Sequence, residues 1–581
     1  MSRVSSNDII QNIKKISDKY QEILFLLMRG KGAFIPASLA DSETTKDMWS
    51  RGFKILLDNP EKFISTNIEY SNKFRELVAL SIDKFMGIET QDLYAPSNRD
   101  RRFKDPAWQE NIYFDFIKQF YLMSSEWMKE SLSHYELEPE LKGYLEFQVK
   151  QFIDAFSPTN FIFGNPEVFR ESFESGWQNI VQGLDNFLND IKKSGDIFNI
   201  PTTDFGAFKV GENLAATEGK VIYQNDLVQL ICYKPKDETH KIPIFIIPPW
   251  INKYYILDLS PHNSLIKYLV DNNFQVFTIS WVNPTRELAH KNFEDYLKEG
   301  IILPLEYIER LGYDKINAMG YCIGGTLLAI ALAYYKKTGK KFIESATFIT
   351  TLLDFTNSGE VGVFINEASI SVIEAEMELK GYFDGKYLSN SFSLLRANDL
   401  IWSFFVNNYL KGKTPIALDF LYWNADASNL PAKMHSFYLR NMYLNNLLRV
   451  SGGLEMLRVP IDLSSISIPT FFLGAADDHI VPWKSVYESM KILGGDKTFC
   501  LASSGHVAGV INPPHANKYN YKINKNLSSD PTEWLLGSQE HAGSWWISWT
   551  RWLASGSGDK AKSINYENLK FIEPAPGSYV K

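Results

Sequence analysis

Lys315-Ile316-Asn317-Ala318-Met319-Gly320-Tyr321-Cys322-Ile323-Gly324-Gly325, followed by TLLAIALAYY over residues 326–335, is the stretch on which the reading of this chain turns. Residues 315–319 read as a strand that ends in a sharp turn, and residues 326–335 as the buried helix that follows. Glycines on both sides of Cys322 allow the tight turn and let the helix pack close to a sheet. That is the layout of a nucleophile elbow, with a thiol where the hydrolase pattern has a serine. Taken alone, a small buried cysteine after a strand is more often core than nucleophile. The partners downstream decide between the two.

An elbow of this kind imposes the chain order nucleophile, acid, histidine. Residues 468–474 (IPTFFLG) read as a buried strand that delivers Asp477, Asp478 and His479 onto the loop at its end. Residues 497–502 read as another strand, ending in Ser503-Ser504-Gly505-His506. An open α/β sheet forms its crevice at the C-terminal ends of its parallel strands, so both loops are well placed. His506 is the expected base and Asp478 its acid. Asp477 competes for the same role, as does Asp354 after the strand at 346–351, and His479 is read as structural.

An oxyanion hole needs one N–H from the residue after the nucleophile and one from an early loop. The first donor is Ile323. The early loop follows the apolar run 242–247 and reads Pro248-Pro249-Trp250-Ile251-Asn252-Lys253. Proline has no N–H, so the second donor is Trp250 or Ile251, with Ile251 preferred.

These segments resemble the polyhydroxyalkanoate synthases, most closely the single-subunit class I type that makes poly-3-hydroxybutyrate. The resemblance is carried by Pro248-Pro249 with Ile251 to Leu259 (INKYYILDL), Gly320 to Gly325, and Asp478 to Trp483 (DHIVPW). It continues in Gly505 to Pro514 (GHVAGVINPP), the tail Glu573-Pro574-Ala575-Pro576-Gly577, and the upstream residues 156–166 and 205–221. It implies Cys322 as the acylated nucleophile, with Asp478 and His506 as acid and base, and it prefers Asp478 among the acids. The implied activity is polymerisation of (R)-3-hydroxyacyl-CoA with short acyl chains, 3-hydroxybutyryl-CoA above all, into storage polyester. Implied partners are the growing polyester chain and the granule surface, with a homodimer as the expected assembly. Trp250 departs from the family, where a smaller residue, often cysteine, is expected; this bears on the pocket shape.

A thiol suits such chemistry. Attack by a thiolate on an acyl-CoA thioester exchanges one thioester for another, so the acyl group stays activated for transfer to an alcohol. The rival reading is a cysteine-dependent α/β-hydrolase of thioesterase or esterase type, which would use the same triad and release a free acid.

The 581 residues are expected to form a mainly helical N-terminal domain over 1–200, rich in aromatics such as Phe114, Phe116, Phe120 and Tyr121, and a catalytic α/β-hydrolase-fold domain over 201–581. Residues at about 355–465 separate two strands by more than an ordinary connection, and are read as a lid or cap. Its Tyr422-Trp423-Asn424-Ala425-Asp426 reads as packing, Trp545, Trp546, Trp549 and Trp552 as core, and residues 555–562 as a short linker. A net charge of −8 argues against nucleic acid as a partner. No nucleotide fingerprint or metal-ligand spacing is present, so no cofactor or metal is implied; coenzyme A enters only as part of the substrate. Three cysteines, with Cys232 and Cys500 read as buried thiols, suggest a reducing compartment. The polar stretch 1–15 lacks the apolar core of a secretory signal, and no transmembrane segment is expected, giving a cytoplasmic, granule-associated protein.

Overall fold

The computed structural model describes residues 5–28, 43–98, 100–195 and 200–581. The expected leaderless stretch at 1–15 lies partly outside these. The chain forms two compact units, one of residues up to Asp204 together with Phe392–Ile416, the other of Phe205–Ser391 and Ala417–Lys581. The first unit is helical, its longest elements being Ser6–Met28, Pro60–Phe85, Ile112–Ser133, Pro139–Ala155 and Gln178–Ser194.

The expected lid is therefore not one body. Residues 392–416 fold with the N-terminal helices because their irregular turns lie directly on the helix Gln178–Ser194. A Cβ at Gly183 would sit 1.8 Å from the Tyr409 carbonyl oxygen, and Asn186 donates to the Asn408 carbonyl at 3.0 Å.

The second unit is built on one mixed sheet. Its early strands are β1 (Gly219–Gln224), β2 (Val228–Tyr233), β4 (Ile244–Ile247), β5 (Val276–Trp281), β6 (Ile316–Tyr321) and β7 (Ile343–Ile349), with a short β3 (Glu238–His240) outside the sheet. Four two-residue strands in the insertion, β8 (Tyr382–Phe383) with β9 (Leu430–Pro431) and β10 (Glu455–Met456) with β11 (Val459–Pro460), form two small antiparallel pairs. The sheet continues with β12 (Thr470–Ala475), β13 (Lys497–Ala502), β14 (Asn520–Ile523), β15 (Gln539–Ala542) and, after a separate β16 (Lys560–Lys562), ends with β17 (Glu573–Pro574). The spatial order is β15-β14-β13-β12-β7-β6-β4-β5-β2-β1-β17.

The six central strands from β13 to β5 pair in parallel, and the flanking ones are antiparallel. Parallel strands are covered on both faces, and every residue of β4, β5, β6 and β12 is buried. Alternate side chains enter opposite cores, Phe245 and Ile247 on one side and Ile244 and Ile246 on the other. The helix Ile323–Thr338 fills the first core. The tryptophan helix Trp546–Ser555 fills the second, with Trp545, Trp546 and Trp549 fully buried, as core. Cys232 and Cys500 are buried too, and burial pushes both thiols well up. Residues 555–562 are not a free linker: β16 pairs with β3 through Lys560 and His240.

Close packing at the elbow is the tightest constraint here. A Cβ at Gly320 would lie 2.4 Å from the Gly325 Cα, and one at Gly324 would lie 2.3 Å from the Ile247 carbonyl oxygen. Neither neighbour is a side chain that could rotate away. Gly320→Ala is expected to destabilise the protein by about 3 kcal/mol, read as a lowered unfolding midpoint. Gly143→Ala, in the helix Pro139–Ala155 with open space around it, should be neutral or stabilising by about 0.5–1 kcal/mol.

Candidate active site

β6 ends at Tyr321 and the next helix begins at Ile323, so Cys322 alone joins them. It has φ 52° and ψ −123°, a left-handed conformation unusual for a residue with a side chain. The backbone around it is anchored from several sides. The Cys322 N–H donates to the Ile349 carbonyl at 2.8 Å, and its carbonyl accepts from the Gly325 N–H at 2.9 Å and the Thr351 hydroxyl at 3.3 Å. Such a turn lifts the thiol, which is half-buried, above the strand ends.

The loop after β13 carries His506 and the loop after β12 carries Asp478. Their contact is direct: His506 Nδ1 and Asp478 Oδ2 are 2.6 Å apart. The other carboxylate oxygen of Asp478 accepts from the Ile480 N–H at 2.9 Å and the Val481 N–H at 2.8 Å. Asp478 is thus buried and fully partnered, whereas Asp477 is exposed. The third sequence candidate, Asp354, is turned toward the end of the insertion, where it accepts from Asn446 at 2.8 Å and pairs with Arg449 at 3.1 Å. His479 presents its carbonyl to the Glu360 N–H at 3.1 Å.

Burial disfavours the imidazolium of His506, but the neighbouring Asp478 carboxylate and Cys322, through charge and hydrogen bonding, outweigh it and push its pKa up to about 10. The thiol, the imidazole and the carboxylate therefore form one connected set. Such a set can move a proton from sulfur to nitrogen and hold the resulting positive charge. Two tyrosines of the insertion, Tyr438 and Tyr443, also lie within electrostatic reach of Cys322. Their rings meet edge to face at 5.3 Å.

Ile323 is the first residue of its helix, where a backbone N–H has no carbonyl of its own helix to reach. The loop holding Ile251 is brought to this helix start by the absence of a side chain at Gly324, whose Cβ would meet the Pro248 carbonyl oxygen at 2.8 Å. The insertion fixes the same loop from the other side. Asn252 donates to the Trp423 and Asn424 carbonyls at 3.3 and 3.2 Å, Trp423 Nε1 donates to the Lys253 carbonyl at 2.6 Å, and the Tyr255 hydroxyl donates to Asp426 at 2.8 Å. Trp423 packs, as its sequence context implied, and it also clamps the loop. Trp250 places its ring in the core against Trp281, Phe293 and Tyr296 at 5.4, 6.0 and 4.9 Å between ring centroids.

Sequence reasoning missed two supports of His506. The Tyr321 hydroxyl donates to the His506 carbonyl at 3.0 Å. The indole N–H groups of Trp545 and Trp546 donate to the carbonyls of Gly509 and Val510 at 3.0 and 2.9 Å, fixing the end of the same loop. Only the helical spacing of the tryptophans was visible in the sequence, and it reports burial rather than a partner. Among the described residues, no cluster of three or more His, Cys, Asp or Glu side chains could hold a metal, and no helix is long and apolar enough to cross a membrane.

The folded-state pKa of His506 lies above the ~6.5 of an unfolded histidine. Its proton therefore adds stability in full below pH ~6.5, and that stability is lost as pH rises toward 10. The unfolding free energy should accordingly fall more between pH 7 and 10 for the native chain than for His506→Gln. Asp478→Asn should move the His506 titration, followed by NMR, downward; equal titrations in the two proteins would contradict the pairing.

A family model described as "Poly-beta-hydroxybutyrate polymerase (PhaC) N-terminus" matches residues 99–269, and one described as "alpha/beta hydrolase fold" matches residues 243–513. The chain is 40% identical to a poly(3-hydroxyalkanoate) polymerase of Methylorubrum extorquens, over 95% of this chain and 93% of that one. It is 42% identical to the poly(3-hydroxyalkanoate) polymerase subunit PhaC of Cupriavidus necator, over 83% of each chain. The corresponding subunit of Rhizobium meliloti is 40% identical over 90% of this chain and 86% of its own. With its α/β-hydrolase fold and this similarity along most of its length, the chain belongs to the poly(3-hydroxyalkanoate) polymerase family.

Proposed function

We propose that the protein polymerises (R)-3-hydroxyacyl-CoA, with 3-hydroxybutyryl-CoA as the preferred monomer, into polyhydroxyalkanoate through a thioester on Cys322. The observation that carries this reading is the thiol on the elbow beside the 2.6 Å His506–Asp478 pair, in a chain similar to named polymerases.

In the first half-reaction, Cys322 reacts as the thiolate, its proton held on His506, and attacks the carbonyl carbon of the acyl-CoA. The carbonyl oxygen becomes an oxyanion, for which the N–H groups of Ile323 and Ile251 are the proposed donors. The intermediate collapses as the carbon–sulfur bond to CoA breaks, and the departing CoA thiolate takes the proton from His506. The product is acyl-Cys322, a thioester formed at the expense of another, so little driving force is spent.

In the second half-reaction, the 3-hydroxyl of a further monomer or of the growing chain gives its proton to His506, and its oxygen attacks the acyl-Cys322 carbonyl. The carbon–sulfur bond breaks, an oxyester forms, and the Cys322 thiolate recovers the proton. Asp478 holds His506 by its Nδ1 throughout and balances the imidazolium. No cofactor enters either half-reaction.

The growing polyester is apolar and must meet protein surface. Exposed aromatics of the helical unit, Phe161, Phe163 and Phe173 among them, support association with the polymer granule. A homodimer is proposed as the working assembly on the family likeness.

Incubation of the purified protein with (R)-3-hydroxybutyryl-CoA should release CoA thiol and deposit insoluble polyester. Soluble 3-hydroxybutyrate as the main product would move the protein to the cysteine-dependent hydrolases. Cys322→Ala should lower CoA release by at least about 10⁴-fold, and residual turnover near the native rate would remove Cys322 from the reaction.

A further inference from the structure

Tyr321 stands between the glycine of the elbow and the nucleophile, and its side chain reaches the base. Its ring lies over the His506 imidazole with centroids 5.5 Å apart and planes 26° from parallel. Its hydroxyl donates to the main-chain carbonyl of the same histidine at 3.0 Å. The ring is buried in the second core, where Ala502, Val510 and the tryptophan helix also lie. One residue therefore touches His506 twice, through chemically different groups, while being covalently joined to Cys322.

Each contact has its own physical consequence. The face of an aromatic ring attracts a cation within about 6 Å, so the ring favours the protonated imidazole over the neutral one. The hydroxyl acts on the main chain instead. His506 lies on an irregular loop just after Ser504, which itself has a positive φ of 73°. A carbonyl held on the buried residue next to the nucleophile fixes the distance from base to thiol without any contact to the thiol itself.

Resting on the reaction proposed above, we infer that Tyr321 is a positioning residue for His506: its hydroxyl sets the base in register with Cys322, and its ring stabilises the imidazolium formed when the thiol gives up its proton. The phenol touches neither substrate nor sulfur in this role. Any aromatic ring could supply the second effect, but only tyrosine supplies both.

The two halves separate by substitution. Tyr321→Phe keeps the ring and removes the hydroxyl; kcat for CoA release from (R)-3-hydroxybutyryl-CoA should fall about tenfold with KM within about twofold, and the His506 titration should stay in place. Tyr321→Leu removes both; kcat should fall further, and the His506 pKa, read by NMR, should drop by roughly one pH unit. Native kcat in Tyr321→Phe would overturn the register role, and an unmoved His506 titration in Tyr321→Leu would overturn the charge role. Unfolding midpoints measured on both variants report their folding, and if Tyr321→Leu does not fold, Tyr321→Met replaces it, with the same downward shift of the titration expected. The titration needs no substrate, so it judges Tyr321 even where Cys322→Ala retains turnover and the proposed reaction itself fails.

Discussion

The conformation of Cys322 is the constraint on which the rest of the site depends. A residue with a side chain at φ 52° and ψ −123° costs on the order of 1–3 kcal/mol, and it persists only where its surroundings leave no alternative. The surroundings here are backbone. Gly320 lets the helix start press against the end of β6, Gly324 lets it press against the Ile247 and Pro248 carbonyls, and Ile349 and Thr351 hold Cys322 by hydrogen bonds. These contacts also bring the loop of Ile251 to the N–H end of the helix. The same packing that forces the thiol outward therefore sets where an oxyanion could be received.

Around this fixed point the partners arrive from far along the chain, each on a loop after a parallel strand. Asp478 is held by two backbone N–H groups, so its carboxylate keeps one oxygen for His506. His506 is held through its ring by Asp478, through its carbonyl by Tyr321, and through the end of its loop by Trp545 and Trp546. The insertion contributes by clamping residues 252–255 through Trp423, Asn424 and Asp426. The exposed ends of a buried sheet thus become rigid supports for a small set of polar groups, in surroundings where burial strengthens their electrostatic coupling.

Much of this was legible in the sequence, for physical reasons. The elbow is local: its glycines, strand and helix occupy about twenty consecutive residues, and their order carries the geometry. The fully buried strands β4 and β12 are largely apolar runs, so they stood out, and the loops after β12 and β13 could be read for Asp478 and His506. The remainder depends on contacts that leave no local trace. The bond from Tyr321 to His506 spans 185 residues. The polar β16 reads as a linker until its pairing with β3 is seen. Residues 392–416 are apolar enough to belong to either unit, and what assigns them is the close approach of Tyr409 to Gly183, a contact that no local pattern announces.

The central claim is a covalent acyl group on Cys322, and mass spectrometry of the protein quenched after a single turnover tests it most directly. With a substoichiometric pulse of (R)-3-hydroxybutyryl-CoA, the peptide containing Cys322 should gain the mass of a hydroxybutyryl group, in a hydroxylamine-sensitive linkage as expected of a thioester. CoA release and product formation with the acyl group on another residue, or with no acylated peptide on the time scale of turnover, would contradict the account.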